Sequence, residues 1–219
     1  KGIYLKYSKI EKKNKIIDVD HKIIREVLKQ ELKENRIEIT TLTDIPTKTG
    51  LGSSGSFSTA LIKAINYYNN KKISKRELAE KACDIEINKL KKFSGKKDKY
   101  IYVYGGIYKF HIKKKGYVKV SNLKISDDTI LDLENNLLLF FTGFSRNSSS
   151  ILKEQNIKTI QNNKDIIKNL DFVKDLCLEI KQNLIKGNCD EFGRLMHAHW
   201  QNKLKRSKNM SNSTINNIF

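Results

Sequence analysis

The chain has 219 residues, with 43 Lys and Arg against 24 Asp and Glu, for a net charge of +19. That length can bury a real core as one large domain or two small ones, and no apolar run approaches the roughly 20 residues of a membrane span. The positive charge is mostly Lys, with Arg only at Arg25, Arg36, Arg76, Arg146, Arg194 and Arg206; specific phosphate-backbone and base contacts favour Arg, so neither nucleic acid nor a membrane is the expected partner, and anionic small molecules are.

Taken in chain order, Gly2 to Lys9 alternates as a strand, with Ile3 and Leu5 on one face. His21 to Asn35 reads as a helix with Ile23, Ile24, Val27, Leu28 and Leu32 inward, and Ile37 to Leu42 as a second strand. Pro46 to Ala64, PTKTGLGSSGSFSTALIKA, follows as a small-residue loop entering a helix whose apolar stripe is Phe57, Ala60, Leu61, Ala64, Ile65 and Tyr68. Ser74 and Glu77 form a capping box for the next helix, whose inward stripe of Leu78, Ala82 and Ile85 continues to Glu86. An inward carboxylate needs a partner, so Glu86 should meet a cation, a metal ion or a helix N-terminus. Past a Lys-rich loop around Asp98, an aromatic run to Gly105 and Gly106 reads as β, and Ile107 to Val120 as a hairpin turning at Lys113 to Gly116. Leu137 to Phe141 reads as a fully apolar strand. From Ile151 to about Lys208 the pattern is helical, with breaks near Asn162 and near Gly187 to Cys189. His197 and His199, two apart on a helix, face different ways and do not suggest a shared metal. Cys83, Cys177 and Cys189 have neither CxxC nor Cys/His spacing and fit inert thiols in a reducing cytoplasm.

The loop at residues 50–56 carries the chemistry. The first turn of a helix has unpaired N–H groups and the positive end of its dipole, so a glycine-rich entry can close around a phosphate. Gly50, Gly52 and Gly55 allow close approach, and Ser53, Ser54 and Ser56 add hydroxyls. The same glycines match the dinucleotide pattern GxGxxG, but a helix follows where that fold needs a strand and an acid. No Gly-Lys-Ser/Thr closes the run as in a Walker loop. The expectation is a nucleotide-phosphate site, against the plainer reading of a helix start rich in small residues.

Three stretches together resemble the GHMP small-molecule kinases, and most closely the branch that phosphorylates D-glycero-D-manno-heptose 7-phosphate, with fucokinase-type enzymes nearby. They are Pro46-Thr47-Lys48-Thr49-Gly50-Leu51-Gly52-Ser53-Ser54, for the family's P-x-x-x-G-L-G-S-S; Ile85-Glu86 with Leu90, Gly95-Lys96-Lys97-Asp98-Lys99-Tyr100 and Gly105-Gly106; and Leu138 to Gly143 with Arg146. The resemblance implies an α+β, two-lobed fold, with a ribosomal-protein-S5-domain-2-like N-terminal lobe over 1–142 and the mostly helical start of a ferredoxin-like C-terminal lobe over 143–219. It implies ATP held by Pro46, Gly50, Leu51, Gly52, Ser53, Ser54, Gly55 and Ser56, and Mg²⁺ held by Ser54, with Ser53 a close second candidate, and Glu86. Asp98 would be the catalytic base with Lys96 beside it, and Arg146, Tyr100 and Gly106 would meet the substrate. The implied activity is an ATP-dependent sugar kinase, transferring phosphate to the anomeric hydroxyl of the heptose phosphate for nucleotide-heptose and surface-polysaccharide synthesis.

Some family features have no counterpart in these residues. The opening R-x-P-x-R segment and the closing G-x-G-G-G-G motif are not found, and Lys97 and Lys99 stand where the branch has Gln on either side of the aspartate. Two expectations stay open: a piece of a longer enzyme, or a shortened relative that binds nucleotide or sugar phosphate without turnover.

Overall fold

The computed structural model describes residues 2–32, 34–45, 49–143, 148–207 and 210–218. The chain folds as two compact units, Lys1–Gly106 and Ile107–Phe219. The lobe boundary expected at residue 142 lies inside the second unit.

In the first unit, β1 (Ile3–Lys6) pairs antiparallel with β2 (Ile10–Lys13) and parallel with β3 (Ile37–Thr40), giving the order β2-β1-β3. The alternation seen in the sequence sets the faces: Ile3 and Leu5 are buried, and Tyr4 and Lys6 are not. The expected strand to Lys9 stops at Lys6, because the chain turns and returns as β2. Helix α1 (Lys22–Glu31) carries the chain to β3 and buries Ile23, Ile24, Val27 and Leu28. His21 caps it, its Nδ1 accepting from the Ile24 N–H at 3.3 Å.

Helix α2 (Ser53–Tyr68) starts at the phosphate-loop sequence. Its inner face differs from the expected stripe: Leu61 and Ile65 are buried, but Ala60, Ala64 and Tyr68 face out, and Ser58, Ile62 and Asn66 complete the face instead. Two of these are polar, and each has a buried partner. Asn66 donates to Glu31 Oε2 at 2.9 Å, and Lys81 closes on Glu31 Oε1 at 2.7 Å.

Helix α3 (Lys75–Cys83) begins at the Ser74 cap, whose Oγ accepts from Glu77 N–H at 3.2 Å. It runs into a wider π-helical turn, Asp84–Lys89, closed by Leu90 N–H to Ile85 O at 2.9 Å. The aromatic run read as β forms helix α4 (Lys97–Tyr104), which stops at Gly105 with φ 65°. The backbone closes on itself instead of on a neighbouring strand, with Tyr100 N–H to Lys96 O at 3.2 Å and Gly105 N–H to Ile101 O at 2.8 Å.

In the second unit, β4 (Tyr108–Ile112) and β5 (Val118–Asn122) form the expected hairpin, with the Gly116 N–H bonded to Lys113 O at 2.8 Å. Helix α5 (Asp127–Asn136), unread in the sequence, is capped by Ser126. Leu137 to Phe141 is not a strand. Its side chains are 61–86% exposed, and among the described residues no strand pairs with it, so the apolar run lacks the ladder a strand requires. The helical region resolves into α6 (Ser148–Ile160), α7 (Lys164–Lys186), α8 (Cys189–Leu204) and α9 (Ser213–Ile218). The two breaks fall where expected: Asn162 and Gly187 both take positive φ, at 54° and 76°. Cys83 is buried and Cys177 is exposed.

Ile62 is fully buried where α2 meets the core. Ile62→Ala should cost about 2–5 kcal/mol in urea unfolding; a loss under about 1 kcal/mol would show that α2 is not packed as described.

Candidate nucleotide-phosphate site

The site is built where the start of α2 meets α4 and the π-helical turn. Gly50 and Gly52 both have left-handed φ, 89° and 69°, a conformation glycine adopts without the Cβ clash other residues suffer. Gly52 is also the N-cap of α2, so no side chain caps the first turn. A Cβ on Gly52 would lie 2.8 Å from the Tyr102 hydroxyl oxygen, so the phenol closes down on this glycine. Gly55 is buried one turn in, and a Cβ there would lie 3.6 Å from Asp98 Cβ, Lys99 Cδ and Tyr102 Cδ2. These are ordinary contact distances, so α4 packs against this turn and brings Asp98 beside the helix start.

Leu51 is exposed and Ser53, Ser54 and Ser56 are half-buried. The Ser58 hydroxyl shares its proton between Ser54 O and Glu86 Oε1, each at 2.8 Å. Asp98 lies in the first turn of α4 with its side chain 43% exposed, and Lys97 Nζ lies 3.7 Å from its Oδ1. Tyr102, one turn on, has its phenol pushed up, first by burial and then by the charge of Asp98. Lys96 turns to Glu80, its Nζ 2.8 and 3.2 Å from the two carboxylate oxygens. The buried Tyr100 also donates to Glu80. Burial pushes the Glu80 carboxyl up, but the hydrogen bonds from Lys96 and Tyr100 outweigh it and hold it below its ordinary value. Gly106 ends the first unit with φ 59°. Pro46 and Arg146 lie outside the described residues.

Glu86 is buried, as its place on the inward face of the helix requires, and its partner is a lysine. Lys99 Nζ lies 3.2 Å from Glu86 Oε2, with the two side chains 1% and 2% exposed. Lys99 also donates to Ser94 Oγ and to Gly95 O at 3.4 Å, so its three protons have three acceptors. Ser54 Oγ accepts from Lys92 Nζ at 3.0 Å. Ser54 and Glu86, expected to hold Mg²⁺, are therefore both engaged by ammonium groups, and this donor set does not fit a protein-held metal ion. Among the described residues no cluster of three or more His, Cys, Asp or Glu could hold a metal.

Sequence reasoning missed Lys92, Tyr102 and Ser58. Tyr102 stands four residues from Asp98, a neighbour on a helix, and was hidden by reading this segment as β. Lys99 was visible as the residue in place of a family Gln, but its inward direction was not.

Residues 20–106 match the model of the GHMP kinases N terminal domain. This stretch, under half of the chain, is similar to a GHMP kinase N-terminal domain. The match ends where the first compact unit ends. Over 199 residues, 91% of this chain, the sequence is 24% identical to D-glycero-alpha-D-manno-heptose 7-phosphate kinase of Campylobacter jejuni. Over 182 residues it is 28% identical to the L-fucokinase/L-fucose-1-P guanylyltransferase of Bacteroides fragilis, covering 80% of this chain and 19% of that protein. The fold resembles a crystal structure of a D-glycero-D-manno-heptose 1-phosphate kinase from Bacteroides thetaiotaomicron, with TM-score 0.75, 22% identity, and 93% of this chain and 63% of that one covered. It also resembles a mevalonate kinase, with TM-score 0.62, 20% identity, and 99% of this chain and 69% of that one covered. The chain is thus an α+β protein with the GHMP kinase fold, and it spans 57% of the Campylobacter relative. No helix among the described residues is long and apolar enough to cross a membrane.

The loop geometry separates two glycines. Gly50 has nothing within 4 Å of an added Cβ and Gly52 has Tyr102, so Gly50→Ala should cost only the left-handed backbone strain, about 1–2 kcal/mol. Gly52→Ala should cost about 1–3 kcal/mol more through overpacking. Equal losses in thermal unfolding would show that Tyr102 does not close on the loop.

Proposed function

We propose that this chain carries the nucleotide site and catalytic base of an ATP-dependent kinase acting on a sugar or sugar phosphate. D-glycero-D-manno-heptose 7-phosphate, phosphorylated at its anomeric hydroxyl for nucleotide-heptose and surface-polysaccharide synthesis, is the specific substrate we favour. One observation carries the reading: α4 packs against Gly55 and brings Asp98 beside the start of α2, the end of a helix that favours phosphate.

In this reading the backbone N–H groups of Gly50, Leu51, Gly52, Ser53 and Ser54 hold the phosphate oxygens, with Pro46 before them in the sequence, while the N–H groups of Gly55 and Ser56 already bond Gly52 O, at 2.9 and 3.3 Å, and these two residues complete the same turn. Phosphoryl transfer depends on positioning and charge neutralisation more than on covalent chemistry by the protein. The Asp98 carboxylate accepts the proton of the attacking sugar hydroxyl. A half-exposed carboxylate at the mouth of the loop can reach a substrate, which the buried Glu86 cannot. Lys96, held by Glu80, acts as a fixed positive charge two residues before the base rather than as its partner. Arg146 is assigned to the substrate phosphate and Gly106 to the substrate side of the site. Tyr100, buried on Glu80, supports that wall from behind. The reading requires a small-molecule acceptor, and the kinase's two lobes divide near residue 142.

The engagement of Glu86 by Lys99 favours a second reading, a relative that binds nucleotide or sugar phosphate without turnover. Asp98→Asn distinguishes the two. For a kinase, heptose-7-phosphate-dependent ADP release should fall about 10²–10⁴-fold while ADP binding stays unchanged. A wild-type chain that binds ADP and releases none with any sugar phosphate would establish the binder.

A further inference from the structure

Two residues expected to hold a metal each meet an ammonium group instead, and the two lysines belong to one electrostatic cluster. Lys99 lies on Glu86, and Lys92 lies on Ser54 in the first turn of α2. Lys92 is also tied to the π-helical turn through its backbone, its N–H donating to Glu86 O at 2.9 Å. Glu86 Oε1 is taken by Ser58 and Oε2 by Lys99, and the carboxylate is almost without solvent contact. Glu86 pairs with Lys99, and among the described residues no carboxylate lies within ion-pair distance of Lys92 where the loop enters α2. Burial pushes the Lys92 amine down, Glu86 pulls it up, and Lys99 and Lys22 push it down again. An anion is what this cluster lacks.

We propose that Lys92 and Lys99 take the place of a protein-held divalent cation in this domain: Lys99 occupies Glu86 as its permanent counter-ion, and Lys92 meets the nucleotide phosphates at Ser54. The inference rests on the nucleotide-site reading for Lys92, but the assignment of Glu86 as closed to metal does not. Any divalent ion then arrives with the nucleotide and owes its place to phosphate oxygens, not to Glu86. Lys99 acts here as a positioning residue, holding Glu86 and through it Ser58 and the Ser54 carbonyl. Lys92 alone is assigned contact with the ligand.

The test uses the full chain and two probes. Mn²⁺ is titrated without nucleotide and followed by electron paramagnetic resonance, and ADP is titrated by calorimetry in EDTA. Wild type should bind no stoichiometric Mn²⁺ and should bind ADP without metal. Lys92→Met should weaken that metal-free binding about 10- to 100-fold, the worth of a hydrogen bond to a charged group. Lys99→Gln should open Glu86 and create Mn²⁺ binding that the double variant with Glu86→Gln lacks. Stoichiometric Mn²⁺ binding by wild type, lost in Glu86→Gln, would overturn the proposal even if no lysine variant folds. Metal-free ADP binding unchanged in Lys92→Met would overturn the role of Lys92. No ADP binding by any form, with or without Mg²⁺, would instead overturn the nucleotide reading and Lys92 with it, and the Mn²⁺ titration would still decide Glu86.

Discussion

A carboxylate and an ammonium that are both withdrawn from water survive only as a well-bonded pair, and Glu86 with Lys99 is that pair here. Removing one partner of such a pair typically costs about 3–5 kcal/mol, because the other is left charged and buried. The constraint reaches several elements at once. Glu86 lies in the π-helical turn after α3, Lys99 in α4 and Ser58 in α2, so one ionic contact with its hydrogen bonds joins three segments around the loop. A π-helical turn within a helix often marks a functional site, and here it includes the buried Glu86.

Around that pair the chemistry divides by exposure. Glu86 is sealed and structural in this arrangement, Asp98 is half-exposed and available, and Glu80 holds Lys96 and Tyr100 behind the wall. The glycines fit the same division. Gly52 admits the phenol of Tyr102, and α4 packs against Gly55. The neighbouring N–H groups and lysines are positive while Asp98 is negative, so the mouth of the loop offers phosphate and base within one small region. That juxtaposition, more than any single residue, supports phosphoryl transfer.

Much of this was legible in the sequence because it follows from short-range rules. The Ser74 cap, the breaks at Asn162 and Gly187, the β4–β5 hairpin and the alternation of β1 depend on local geometry and apolar periodicity. The glycine loop and the need for a partner at Glu86 were equally readable. What was not legible depended on tertiary contacts. The inner face of α2 includes Ser58 and Asn66 because Glu86 and Glu31 are buried opposite them, and no periodicity of apolar residues can reveal that. Tyr100 to Tyr104 has the aromatic composition of a strand, yet it is a helix that sets Asp98, Lys99 and Tyr102 together against Gly55. Leu137 to Phe141 has strand composition and no partner strand among the described residues. Composition alone could not tell which charged group would neutralise Glu86.

The central claim is that phosphate binds at the amides that open α2. Hydrogen–deuterium exchange of the full chain with and without ADP tests it most directly, since it reads the backbone itself. The account predicts slowed exchange on ADP binding concentrated at residues 50–56, with smaller changes at residues 92–99. ADP that binds while leaving residues 50–56 unchanged and protecting another segment would contradict it.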